Sequence, residues 1–467
     1  MPKADSLARN SVYLMATSAV NSALGYVYWI AAAHAFSPHD VGLANALIAA
    51  MMLASLVSNL GVPIALVEIL PRHRDDRAWS QTLFAALAIA IAGGIGAGVL
   101  VVLGLPAIAG RFSVLSDPLY SAAFVIGVPA WTAVTVLDYT FVAERRAGRM
   151  LTRNAIFGAV KLVVLAVPIV LVHGSALWIL LSWIIAAVVS LIAGLWLLHA
   201  LGRRVRLSAV AELATELRAI WARLAGHHLT TLGALLPMAL LPLLVTVRLS
   251  PRDNAYFALT WMVGAIFMVV SPAVASSLLA EGAHAPGEAR QQALRALRIV
   301  GVLLIVPMAI CLLGADQILA LFGRGYPAHG ATLLQILVLS AIPDALTNIW
   351  VSYERAVGGL RRTALLNGGI GAATLVLGWL LMPSAGIAGV GWAWLAAQTI
   401  GTVAAACLVA SDWRRRIESA TPNDVRRALL PARDHHELRR RLMLGIDGCA
   451  AVFRKPDRRS IIPSRRT

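Results

Sequence analysis

The sequence predicts an all-α integral membrane protein with twelve transmembrane helices in two homologous six-helix lobes. Three observations predict it. Hydrophobic residues make up 59% of the chain and charged residues 13%, with a mean hydropathy of +0.76. A soluble domain of that composition would expose large aggregating patches, whereas a bilayer solvates them. Apolar residues gather into twelve runs, each close to the roughly 20 residues that cross a bilayer core. A Ser-Pro-basic-Asp turn also occurs twice, at Ser37-Pro38-His39-Asp40 and Ser250-Pro251-Arg252-Asp253. From 37 to 250 is an offset of 213 residues, which nearly halves a chain of 467 and points to two lobes read head to tail.

The first run, near 11–33, is too long for a signal-peptide core and lacks a small-residue cleavage site, so it reads as a retained span. Runs near 41–68, 80–104, 119–143, 155–173 and 176–199 complete an amino-terminal lobe over residues 1–200. Residues 201–225 link the lobes. There Leu207, Val210, Leu213, Leu217, Ile220 and Leu224 recur at helical spacing, the pattern of an amphipathic helix on the inner membrane surface. Runs near 226–247, 254–280, 299–323, 330–353, 363–383 and 388–410 build the second lobe, residues 226–410. The basic tail, 411–467, with clusters such as Arg439-Arg440-Arg441, suits anionic inner-leaflet lipids.

The basic residues give an independent test of this topology. With both termini cytoplasmic, the outer loops hold only Arg111, Arg248, Arg252 and Arg324, and Lys161 lies inside a span. Every other lysine and arginine falls on the inner side, as the positive-inside rule requires. The net charge of +17 is thereby explained, and with no nucleic-acid-binding motif a nucleic-acid partner is not expected. Cys311, Cys407 and Cys449 are scattered and offer neither a disulfide framework nor metal-ligand spacing.

The duplication goes beyond the Ser-Pro turns. Pro129 falls within the fourth span and Pro343 within the tenth; Asn154 and Gly158 open the fifth span as Asn367 and Gly371 open the eleventh. Glu144-Arg145 and Glu354-Arg355 mark the inner ends of the fourth and tenth spans. Six spans per lobe is an even number, so the lobes share orientation about an axis along the membrane normal.

At this level of detail the chain resembles a family. Asn10-Ser11-Val12-Tyr13-Leu14, Leu24-Gly25, Phe36-Ser37-Pro38-His39-Asp40-Val41-Gly42 and Leu60-Gly61-Val62 are similar to the amino-terminal pattern of polysaccharide-biosynthesis flippases of the MOP superfamily, the Wzx-type exporters of lipid-linked oligosaccharides. Leu321-Phe322-Gly323 and Glu354-Arg355 with Gly358 and Asn367 also fit, so the resemblance covers about residues 5–410. It implies a MATE-like V-shaped bundle with a central cavity that faces each side in turn, in a bacterial plasma (inner) membrane. The implied substrate is a polyprenyl-pyrophosphate glycan, with glycan polymerase and glycosyltransferases as further partners. A charged, hydrated headgroup cannot cross about 30 Å of hydrocarbon unaided.

Ionisable groups inside spans are costly and therefore the leading site candidates. Asp138 and Lys161 lie at similar depth on neighbouring antiparallel spans and form a candidate pair. As a lock, the preferred reading, the pair holds the fourth and fifth spans together; as a functional pair, Lys161 meets the substrate phosphate and Asp138 releases it. Asp344 follows Pro343, with Thr347 and Asn348 one turn on, and is a candidate for binding H⁺ or Na⁺, for pairing with an arginine, or for capping a broken helix. If the family architecture holds, Asn21, Tyr26, Tyr28, Asn45, Asn59, Tyr256 and Trp261 face the cavity, where rings can stack on sugars. Glu354 and Arg355 complete the candidates at the inner end of the tenth span.

Two readings within the superfamily compete. A lipid II flippase carries an Arg-Asp pair in its first span, where this chain has Tyr28 and Trp29. A MATE-type H⁺- or Na⁺-coupled multidrug antiporter generally uses a buried acid in its first lobe, and the first two spans have none at mid-depth. A membrane scaffold that recruits glycosyltransferases through the tail is more remote. A transferase or polymerase needs acidic or His-rich catalytic loops, and the short outer loops supply no carboxylate cluster, so the chain is not expected to be an enzyme. No nucleotide-binding or metal motif implies a cofactor.

Overall fold

The computed structural model describes residues 2–171, 174–199, 236, 238–282, 289–356 and 359–419. The amphipathic link and the basic tail beyond 419 lie outside the described residues, as does the division between lobes near residue 200. Within the described residues the chain is helical throughout and contains no strand. Twelve helices lie at the expected spans: α1 (Pro2–Ala35), α2 (Pro38–Ser58) with its continuation α3 (Val62–Ile69), α4 (Asp76–Ile108), α5 (Pro118–Ala143), α6 (Ala147–Leu171), α7 (Ala176–His199), α8 (Met238–Arg248), α9 (Pro251–Gly282), α10 (Ala289–Leu313), α12 (Gly325–Ala356), α13 (Leu360–Ala385) and α14 (Ala388–Ser419). The short α11 (Ala315–Ala320) sits between α10 and α12. Eight of these helices are long and apolar enough by themselves to cross a bilayer. The result is a multi-pass membrane protein.

The repeated Ser-Pro turn is a helix start in both places. Ser37 Oγ accepts a hydrogen bond from the Asp40 amide at 3.1 Å and donates its own proton to the Asp40 carboxylate. Ser250 and Asp253 repeat both contacts at 3.1 and 2.6 Å. Proline follows each serine at the first helical position, where its missing N–H costs nothing and its fixed φ favours the helix. The second span departs from the uninterrupted run expected from its hydropathy. Leu60 and Gly61 both take positive φ, 49° and 78°, and break it into α2 and α3. Gly61 adopts that conformation without the steric cost that a side chain carries.

Burial separates core helices from lipid-facing ones. The apolar stretches of α2, α5 and α12 are 67%, 56% and 61% buried, against 28% for α4 and α13. Helices α5 and α12, which carry Pro129 and Pro343 within them, are thus both core helices. The described residues form two compact units. One comprises Met1–Gly264, Ile310–Val338 and Asn367–Ala397; the other, Ala265–Ala309, Leu339–Leu366 and Gln398–Thr467, of which the described part ends at Ser419. In the first unit Leu66, Trp79, Leu83, Leu137 and Phe141 knit α3, α4 and α5 into one core, and the Trp79 indole N–H donates to Glu144 at 2.7 Å. In the second, Trp350, Val351 and Ala405 pack α12 on α14.

Candidate functional site

The expected pair of Asp138 and Lys161 does not form. Helix α6 starts at Ala147, so Arg153 lies inside the helix and takes the carboxylate instead. Its guanidinium donates through Nε and Nη2 to the two oxygens of Asp138, both at 2.7 Å. The planar fork matches a carboxylate in a way that a lysine ammonium does not. Arg153 Nη1 also donates to Ser190 Oγ at 3.1 Å, and Asn154 Nδ2 approaches Asp138 at 3.3 Å. Asn21 on α1 reaches Asn154 Oδ1 at 3.0 Å, so α1, α5, α6 and α7 meet in one buried polar network.

Lys161, two turns further along α6, sits in an aromatic cage. Its ammonium lies 4.7 Å from the ring centre of Tyr28, 5.2 Å from Phe157 and 4.6 Å from Trp183. The residue is 4% exposed, and no carboxylate pairs with it among the described residues. Trp131 and Trp29 pack behind Trp183, with centroids 5.6 and 6.4 Å away. Tyr28 is fully buried and shares a 2.7 Å hydrogen bond with Ser182, so it belongs to the wall of the cage.

A second place lies between α2, α8 and α9, where a cavity of about 190 Å³ is lined by Asn45, Met238, Pro242, Phe257, Trp261 and Met262 among others. Two expected site residues, Asn45 and Trp261, are brought together here. Tyr26 closes one flank by donating to the Met262 carbonyl at 2.8 Å. Tyr256, the residue immediately before Phe257, is buried instead against His329, with ring centres 4.3 Å apart and planes stacked at 16°; Arg252 Nε reaches its hydroxyl at 3.3 Å. Asn59 is buried at the α2–α3 break with its Oδ1 unpartnered.

The third place is in the second unit. Asp344 is 4% exposed and its carboxylate accepts from three neutral donors: Ser271 Oγ at 3.1 Å, Asn348 Nδ2 at 3.0 Å and Gln398 Nε2 at 3.0 Å. Thr347 links the same glutamine at 2.9 Å. No arginine pairs with Asp344 among the described residues. Pro343 precedes it and removes the N–H that would have bonded Leu339, loosening the helix at this point. Glu354, at the end of α12, is buried beside Gly359 with Arg362 at 3.7 Å, while Arg355 is exposed.

Arg153, Trp183, Ser271 and Gln398 were not among the expected site residues. Gln398 had a signal, a lone amide inside an otherwise apolar run; Arg153 had none once it was counted in a loop.

Residues 7–220 match the sequence model of the polysaccharide biosynthesis protein family. The sequence matches no curated protein. Among solved structures, the lipid II flippase MurJ in an inward closed conformation superposes with a TM-score of 0.69 at 11% identity, covering 95% of this chain and 98% of that one. A multidrug resistance MATE family transporter of the MOP superfamily, in an inward-facing conformation, gives 0.67 at 13% identity, covering 89% and 100%. A MOP superfamily transporter from Pyrococcus furiosus Vc1, whose binding pocket has a reverse polarity taken to suggest a different function, gives 0.56 at 14%, covering 86% and 93%. Identities this low show the fold alone. Residues 7–220 thus carry the pattern of the polysaccharide biosynthesis protein family, and the chain shares its fold with these transporters.

Proposed function

We propose that this protein is a flippase that moves polyprenyl-pyrophosphate-linked oligosaccharides from the cytoplasmic to the outer leaflet of a bacterial inner membrane, with both termini cytoplasmic. The observation that carries the reading is Lys161, a buried cation held by rings and, among the described residues, paired with no acid. Each ring contributes about 0.5–2 kcal/mol to holding an ammonium. Leaving water costs several kcal/mol per ion, so the cage offsets only part of that cost. An anionic headgroup brought against this cation supplies the remainder. A drug–cation antiporter needs the opposite sign in that lobe, whereas Asp138, inside α5, is already neutralised by Arg153.

Asp344 is the coupling group in this scheme. A carboxylate surrounded by neutral donors, in a helix loosened by Pro343, is suited to taking up H⁺ or Na⁺ as the cavity changes sides. Residues 1–200 and 226–410 act as the two moving lobes. The basic residues of the tail suit anionic inner-leaflet lipids, with glycosyltransferases and the glycan polymerase as further partners.

Depletion tests the proposal. In cells lacking the protein, lipid-linked glycans should accumulate where an impermeant lectin cannot reach them, and re-expression should restore access. Unchanged glycan sidedness, accompanied by new sensitivity to organic cations, would replace the reading with multidrug antiport.

A further inference from the structure

The cavity between α2, α8 and α9 has a composition of its own. Phe257 and Trp261 present rings to it, and Trp394 packs edge-on to Trp261 at 5.6 Å, bracing that indole. On the same stripe of α9, one turn before Phe257 and Ala258, Asn254 is fully buried with its Oδ1 unpartnered. Its Nδ2 is committed to Gly42 O at 2.8 Å and reaches Asn45 Oδ1 at 3.3 Å. Asn45 therefore accepts through its oxygen and keeps its amide hydrogens for the cavity that it lines. A third polar group comes from the backbone: Pro242 has no N–H, so the Met238 carbonyl, on the same wall, lacks its helical partner. No charged side chain lines the space among the described residues.

Rings for a C–H face, an amide donor and an unpaired backbone acceptor together call for an occupant that is apolar on one side and hydroxylated on the other. A buried acceptor left unmatched costs about 1–3 kcal/mol, so a hydroxyl that satisfies it contributes to binding and one that is missing is penalised. The geometry points to this cavity as the subsite for a single neutral pyranose ring of the transported glycan, stacked on Trp261 and hydrogen-bonded by Asn45, whose side-chain oxygen Asn254 holds from behind. The inference rests on the flippase reading and adds a specificity to it. A uronic acid is disfavoured here, because its carboxylate would leave water for a wall of rings and the Met238 carbonyl with no cation among the lining residues to offset the cost. The subsite is separate from Lys161, so sugar and phosphate are read by different residues.

Saturation-transfer NMR on the full chain in lipid nanodiscs tests this with methyl glycopyranosides as probes. Neutral methyl hexosides and methyl N-acetylhexosaminides should receive saturation on their ring C–H protons, at least fivefold more than methyl glucuronide. Trp261→Ala should abolish the transfer, while Trp261→Phe, which keeps a ring, should retain it and show that the fold survives substitution there. Asn45→Leu should reduce it severalfold. Equal transfer to the glucuronide, persistence in Trp261→Ala, or no transfer to any pyranoside in the unsubstituted protein would overturn the subsite. The last result, alongside glycans whose leaflet still depends on the protein, would fault the subsite and leave the flippase reading standing. Pyranoside binding without any change in glycan sidedness on depletion would do the reverse.

Discussion

Asn254 donates its side-chain amide to the backbone carbonyl of Gly42 at 2.8 Å, and the two residues stand just inside the two copies of the Ser-Pro turn. The helices meet so closely that a Cβ on Gly42 would lie 1.7 Å from the Pro251 carbonyl oxygen and 2.7 Å from the Ala255 amide. The duplicated turns thus pack against one another, backbone to backbone.

A larger side chain at this junction should hold it apart. Overpacking against side chains costs roughly 1–3 kcal/mol, and backbone yields less readily than side chains do. Gly42→Leu is therefore expected to lower the rate of glycan flipping at least tenfold. Gly96→Leu, on α4 with nothing within 4 Å of the added Cβ, should stay within twofold of the unsubstituted protein. Flipping rates of the two variants in proteoliposomes decide it; equal rates would mean that the junction carries no functional load.

The Arg153–Asp138 pair makes a thermodynamic prediction. Removing one partner of a buried ion pair leaves the other uncompensated, at about 3–5 kcal/mol. Asp138→Asn is expected to destabilise the protein by that order in a denaturation series in detergent. Replacing both residues with apolar ones of similar size should recover most of the loss. A double variant as unstable as the single one would show that the network serves more than mutual neutralisation.

Lys161 separates fold from function. The cage of Tyr28, Phe157 and Trp183 accepts a thioether readily, since methionine adapts to irregular aromatic surroundings. Lys161→Met should fold and unfold like the unsubstituted protein, yet flip lipid-linked glycans at least tenfold more slowly. Retained flipping by a well-folded Lys161→Met protein would remove the cation from the account.

Asp344→Asn tests coupling. The amide is neutral and nearly isosteric, so the packing among Ser271, Asn348 and Gln398 is expected to survive. Flipping driven by an imposed pH or Na⁺ gradient should fall to the rate measured without a gradient, while that ungraded rate persists. A variant that still responds to the gradient would place the coupling group elsewhere.

Much of the fold was legible in the sequence, because a bilayer imposes one length and one composition on every span. The Ser-Pro turns announced two helix starts, and both serines cap as their type suggests. The break at Leu60–Gly61 was not legible, since positive φ on a leucine is set by packing and leaves no mark on hydropathy. Polar contacts between spans were harder still. Asp138 and Lys161 lie on α5 and α6 but do not meet at one depth: hydropathy starts the fifth apolar run only near 155, which leaves Arg153 in a loop and hides the better partner. The cage around Lys161 joins residues from positions 28, 157 and 183, a conjunction that no local pattern encodes.

The most direct test of the central claim is the accessibility of a lipid-linked glycan in proteoliposomes of the purified full chain. Fluorescent polyprenyl-pyrophosphate glycan is distributed over both leaflets, and a membrane-impermeant enzyme removes the sugars it can reach. A flippase should let nearly the whole pool be consumed, with Lys161→Met returning the reaction to its slow phase. Consumption that halts at the externally accessible half, as in protein-free liposomes, would contradict the account.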